Sequence, residues 1–222
     1  MTLLKNTAYA SLVVQFLTGI ADIWGLTIEV LEQFQIFKQL LTIELVVQVV
    51  EFVYYIWMTL NIDKKKNITV YRYFDWFITT PLMLLTLMVY LENNAEQPIS
   101  SVVEFVQKYK GIVAIVIILN FLMLFFGLIG ELGWMDKRTS AIIGFIPFAL
   151  YYLIIYRAFI YQKPVSNQKK NVYFYFLFVW LLYGVAALLP YIYKNSMYNI
   201  LDLFAKNFFG LFLVYIIYTN QR

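Results

Sequence analysis

The segment Leu201–Phe212, LDLFAKNFFGLF, places an aspartate and, four residues later, a lysine in an otherwise apolar stretch. A second stretch, Tyr71–Leu85 (YRYFDWFITTPLMLL), carries Arg72, Asp75 and Thr79 at spacings of three and four. A third holds Glu44, Gln48, Glu51 and Tyr55. Residues three or four apart share a helix face, so each set forms one polar stripe. Ionisable side chains inside apolar spans are costly and mark function by default. A structural ion-pair network is the plain alternative. Buried pairs stabilise weakly, however, because desolvation offsets much of the Coulomb gain. A buried lysine has a more specific use: Lys206 can condense with a carbonyl compound to form a Schiff base. The protonated imine keeps its positive charge and needs a carboxylate counterion. Asp75 and Asp202, from two helices, supply it, with Arg72 tuning both.

The elements that position these residues must live in lipid. Of 222 residues, 62% are hydrophobic and 14% charged, against about 45–50% and about 25% in soluble domains. The apolar runs are long and do not alternate with period two, which favours helices over a barrel. Seven spans are expected, roughly at 8–29, 39–61, 69–91, 111–133, 138–161, 171–193 and 197–219. Glu92–Ser101 and Gln162–Lys170 read as solvated loops. The expectation is an all-α membrane protein, a single seven-helix domain over residues 1–222, resident in a lipid bilayer as a multi-pass protein. With no cysteine or histidine, thiol chemistry and imidazole bases or metal ligands are excluded. The net charge of +4 comes mostly from residues flanking the apolar runs, as for a membrane protein and not a nucleic-acid binder. No cleavable leader pattern precedes the first span. Seven spans put the termini on opposite sides. With the N-terminus outside, eight Lys/Arg fall inside and seven outside, a balance that leaves orientation undecided by charge.

The motifs carry a family resemblance. RYFDWFITTP at Arg72–Pro81 closely resembles the third-helix signature of microbial (type I) rhodopsins, and NILDLFAKNFFGL at Asn199–Leu211 resembles their seventh helix. GLIGELG at Gly127–Gly133 and WLLYG at Trp180–Gly184 are similar to fourth- and sixth-helix segments. The resemblance implies all-trans retinal as a Schiff base on Lys206, Asp75 as primary counterion and proton acceptor, and Asp202 as second counterion. It implies Arg72 just extracellular of them and Thr79 hydrogen-bonding near Asp75. Trp76 and Trp180 sandwich the polyene, Tyr183 and Tyr55 bond Asp202, and Thr80 and Met83 also line the pocket, Met83 going with green absorption. It also implies an extracellular N-terminus, a cytoplasmic C-terminus and no enzymatic activity. Gly184 and Ala187 replace the family's proline and pocket aromatic, which points to a looser pocket.

The output is read from other positions. The family's cytoplasmic proton donor lies eleven residues after the counterion, where this chain has Thr86, and the release carboxylates give way to KNSMYN at Lys194–Asn199. Glu44, Gln48 and Glu51 form a polar row that resembles the second-helix glutamates of algal channelrhodopsins. Ser11 and Asn207 are expected to face it and complete a cytoplasmic constriction. Glu44 and Glu51 as single satisfied polar residues, or as a proton-donor relay, are the plainer readings of that row. Thr80 and Asn120 are expected to bridge two helices. The whole pattern most resembles the viral rhodopsins of giant algal viruses, group 1, light-gated channels for monovalent cations or protons in a host membrane, with homo-oligomers common in the family. The alternatives are a weak outward proton pump, a photosensor with a separate partner and, more remotely, a transporter without retinal.

Overall fold

The computed structural model describes residues 1–94, 98–161 and 163–221. The described chain forms helices α1 (Thr2–Thr27), α2 (Gln35–Asn61), α3 (Thr69–Glu92), a short α4 (Val102–Lys108), α5 (Lys110–Glu131), α6 (Lys137–Phe159) and α7 (Asn167–Ala187). The last rod is α8 (Tyr191–Asp202), a π turn (Leu203–Asn207) and α9 (Phe208–Thr219). Seven of these rods are long and apolar enough to cross a membrane, so the chain is an integral multi-pass membrane protein.

Position in the bundle follows from enclosure. Within its most apolar window α3 is 61% buried, against 28% for α1, α5 and α7. The Arg72–Asp75–Thr79 stripe therefore lies inside the bundle. The last rod packs on α1 and α2, and α3 packs on α2 and α5, which brings the three polar stripes to one interior. Large apolar side chains such as Phe74 and Val53 face outward, as lipid requires. Helix starts are fixed locally: Asp136 accepts from the Arg138 and Thr139 amides ahead of α6, and Ser166 accepts from the Lys169 amide ahead of α7. These caps satisfy amides that have no partner within the helix.

The boundaries differ from expectation at the first span, where α1 already starts at Thr2, and at the last two. α7 stops at Ala187 and α8 starts at Tyr191, although the sequence reading carried the sixth span to 193. Pro190 is the reason: it has no amide hydrogen and turns the residue before it away from helix. As a result the KNSMYN stretch is helical, and Lys194, Asn195, Ser196 and Asn199 are buried. Of the expected solvated loops, residues 95–97 and 162 lie outside the described residues. Asn93 is buried and holds the Ile99 amide, while residues 167–170 already begin α7, where Lys169 donates to Leu91 O and Asn93 O at the end of α3.

α5 and α6 meet so closely that a Cβ on Gly130 would collide with Ser140 Oγ, which itself donates to Phe126 O at 2.5 Å. Gly130→Ala is expected to cost about 1–3 kcal/mol through overpacking. Thermal unfolding in detergent should show the loss, and an unchanged midpoint would mean the two helices separate freely.

Candidate functional site

Lys206 stands in the π turn, where the Phe208 amide reaches back to Leu203 O. Such a wide turn is rare and clusters at functional sites. The Lys206 side chain is 3% exposed. Its Nζ donates to Asp75 Oδ2 at 2.8 Å, with Glu51 Oε1 at 3.6 Å and Asp202 Oδ1 at 3.8 Å. Three carboxylates from α3, α2 and α8 thus surround one cation. Thr79 donates to the backbone carbonyl of Asp75 at 3.0 Å and not to its carboxylate.

Asp202 is the most firmly held of the three. Tyr55 and Tyr183 each donate to it at 2.7 Å, and Arg72 Nη1 donates at 3.1 Å. Arg72 is fully buried. Its Nε and Nη2 donate to Asn195 Oδ1 and Asn195 O, both at 3.3 Å, and Nη2 also donates to Asn199 Oδ1. The rings of Tyr54, Tyr55 and Tyr198 each stand 5.6 Å from the guanidinium carbon, close enough for cation–π attraction. Asn195 and Asn199 were missed in the sequence. Their signal was spacing: with Asp202 they fall at intervals of four and three on one rod.

From Lys206 an apolar cleft runs between α3, α5, α6 and α7 toward Met123 and Ala141. Trp76, Trp180, Tyr183, Thr80 and Met83 all line it, whereas Tyr55 lies outside it, on Asp202. Gly184 does not loosen the cleft. The Phe145 ring of α6 lies where a Cβ on Gly184 would stand, so α6 fills the space beside Gly184. Thr80 and Asn120 bridge α3 and α5, Asn120 Nδ2 donating to Thr80 Oγ1 at 2.8 Å.

The α2 stripe sorts into levels. Glu51 belongs to the lysine cluster. Below it Gln48 Nε2 and Asn207 Nδ2 both donate to Thr18 Oγ1, the latter at 2.9 Å, and Gln48 also reaches Gln15 O at 3.0 Å. Lower still, Thr86 donates to Glu44 Oε1. Ser11 does not face this row. Its hydroxyl donates to Asn199 O at 2.8 Å, on the Arg72 side, because it sits two turns nearer the N-terminus than Thr18. Asn207 correspondingly bonds Thr18, not Ser11 or the glutamates. Gln15, Thr18 and Asp22 are further buried residues of this face. They were missed in the sequence, where their spacing of three and four was the available signal.

Fold and site together define a seven-helix membrane protein built around the buried Lys206 and its carboxylates. The family model described as Bacteriorhodopsin-like protein matches residues 3–220, and the chain belongs to that family. Membership implies retinal held through a lysine Schiff base. Among solved structures, the viral rhodopsin OLPVRII is 23% identical with a TM-score of 0.82, covering 98% of each chain. Acetabularia rhodopsin I is 18% identical, TM-score 0.77, over 99% of this chain and 95% of its own. Xanthorhodopsin, a light-driven ion pump with dual chromophore, is 17% identical, TM-score 0.75, over 99% and 94%. A comparison with curated protein sequences finds no match.

Arg72→Met would leave Asp202 with Lys206, 3.8 Å away, as its remaining cation, and would take one donor each from the Asn195 and Asn199 side-chain carbonyls. Breaking a buried pair on one side costs roughly 3–5 kcal/mol. A marked drop in melting temperature is expected, while Arg72→Lys recovers only part of it because lysine lacks the planar fork.

Proposed function

We propose that the chain is a retinal-binding photoreceptor that works as a light-gated cation channel, with Lys206 as the attachment point. The residues fit the chromophore. Lys206 opens onto an apolar cleft whose walls include Trp76 and Trp180, and flat aromatic faces suit a conjugated chain. Its nitrogen already faces the carboxylate that an imine cation needs. Bound retinal supplies absorption of visible light and a light-driven change of shape at the lysine nitrogen.

The chain's own residues do the rest. Asp75 Oδ2, at 2.8 Å, balances the charge on Lys206 Nζ and is placed to accept a proton from it. Asp202, pinned by two tyrosines and Arg72, stays as a fixed counter-charge. Asn207 follows Lys206 directly in the π turn, so displacement of the lysine pulls on the Asn207–Thr18–Gln48 junction between the last rod, α1 and α2. Orientation follows the family, with the N-terminus outside and the C-terminus inside.

One observation carries the channel reading. Gln15, Asp22, Glu44, Gln48, Glu51 and Asn207 hold eight of the thirteen buried polar atoms that have no hydrogen-bond partner among the described residues, and seven of those eight are oxygens. Buried polar groups are nearly always partnered, so this column calls for water or cations. Along α1 it runs from Gln15 to Asp22, seven residues, or roughly 10 Å at the helical rise. That is about a third of the hydrocarbon core, which is about 30 Å thick. Lined by carboxylates and amide oxygens, it favours cations over anions.

A second reading, a weak outward proton pump, rests on the Thr86–Glu44 contact. That contact brings a carboxyl from α2 to the position where the family keeps its proton donor.

Whole-cell recording under light separates the two. The expected photocurrent reverses sign with the cation gradient. A current that never reverses across the accessible voltage range means a pump and overturns the channel reading, and a coloured protein with no current leaves a photosensor. Lys206→Ala is expected to give a colourless protein after retinal addition; visible absorbance retained without added amine would refute the attachment. Because Glu51 lies 3.6 Å from Lys206 Nζ, Glu51→Gln should both change conductance and shift the absorption maximum. A change in neither would remove it from the site.

A further inference from the structure

Beyond the lysine cluster, the column ends at a carboxylate that has no assigned role. Asp22 on α1 is 1% exposed, and its Oδ1 is buried without a partner. Its other oxygen lies against the last rod at Gly210, where a Cβ would come within 2.7 Å of Asp22 Oδ2. Gly210 therefore makes the notch that the carboxylate occupies. Glu44, 2% exposed, lies within electrostatic range of Asp22, and its Oε2 is likewise unpartnered. One turn further along α1 the polar lining stops. A Cβ on Gly25 would stand 2.9 Å from Val214 Cγ2 and 3.0 Å from Leu41 Cδ2, and both of those side chains are buried.

We propose that Asp22 is the anionic ligand of a monovalent-cation site at the inner end of the column, held above an apolar seal formed by Leu41 and Val214. This rests on the channel reading and names the subsite where a cation waits. The chemistry follows from the carboxylate and from the polar groups of the same column. An ionised carboxylate buried without a donor is costly, and a cation removes that cost. The Gln48 and Asn207 amide nitrogens are both committed to Thr18, which leaves their oxygens as acceptors. No group of three or more acidic residues able to hold a metal ion occurs among the described residues. A divalent ion, which gathers more charged oxygen ligands, is therefore disfavoured. The seal closes the site by packing, in the manner of a dewetted constriction.

Two measurements on the retinal-loaded full chain test this. Infrared difference spectra in the dark, sodium chloride against N-methylglucamine chloride, should show a sodium-dependent carboxylate band that Asp22→Asn abolishes. Gly210→Ala, which crowds Asp22 Oδ2, should raise the sodium concentration for half-effect at least fivefold with the visible absorption maximum unchanged. In recordings, Asp22→Asn should lower the sodium-to-proton permeability ratio at least threefold. A sodium-dependent band that survives Asp22→Asn, or an Asp22 band of a protonated carboxyl that is indifferent to sodium, overturns the site. If Asp22→Asn does not fold, Gly210→Ala decides. If the wild type carries no passive current, the channel reading falls and the infrared band still decides the site. A passive current with no sodium-dependent band removes the site alone.

Discussion

The structure depends on how a lysine cation is kept inside a lipid-embedded bundle. Lys206 has Asp75 at 2.8 Å and two further carboxylates within 4 Å. Charge burial of this kind is tolerated only when the partners are close and themselves bonded. Most of the interior serves that requirement. Arg72, the tyrosines on Asp202 and the asparagines on Arg72 form one continuous set of hydrogen bonds linking α2, α3, α7 and α8. That set explains why α3 is the most enclosed helix and why Pro190 starts α8 early enough to bring Asn195 and Asn199 into register.

The interior is satisfied unequally. On the side toward the N-terminus, Arg72 and Asp202 have their donors and acceptors matched. Toward the C-terminus, between α1, α2 and the last rod, carboxylates and amide oxygens go without partners. A matched network resists rearrangement, and an unmatched one invites water, ions and motion. The π turn lies between the two regions. It carries both Lys206, bound into the first, and Asn207, bonded into the second, so it is the natural place for a change at the lysine to be passed to the column.

Much of this was legible in the sequence. Seven apolar runs without period-two alternation leave a helical bundle as the only way to satisfy the backbone in lipid, and the observed rods match the expected spans to within four residues except at the start of α1 and around Pro190. The Asp202–Lys206 and Arg72–Asp75–Thr79 stripes follow from helical spacing alone, and the Thr80–Asn120 bridge was found by position in the motif. Spacing cannot say how far along its axis one helix sits against another. That is why Ser11 turned out to bond Asn199, two turns from where it was expected, and why Glu51 lies with the lysine instead of in a separate constriction.

The sequence by itself determined that the chain spans a membrane, that it buries ionisable residues in three stripes, and that one of them holds a lysine suited to an imine. These are properties of composition and of the 3.6-residue repeat, and both are local. Only the tertiary structure decided which carboxylate lies nearest Lys206, that a π turn widens the backbone there, that Phe145 lies against Gly184, and that Glu44 reaches Thr86. Each depends on the relative height and rotation of two packed helices, which the summed packing and polar matching of the bundle set and no single segment encodes.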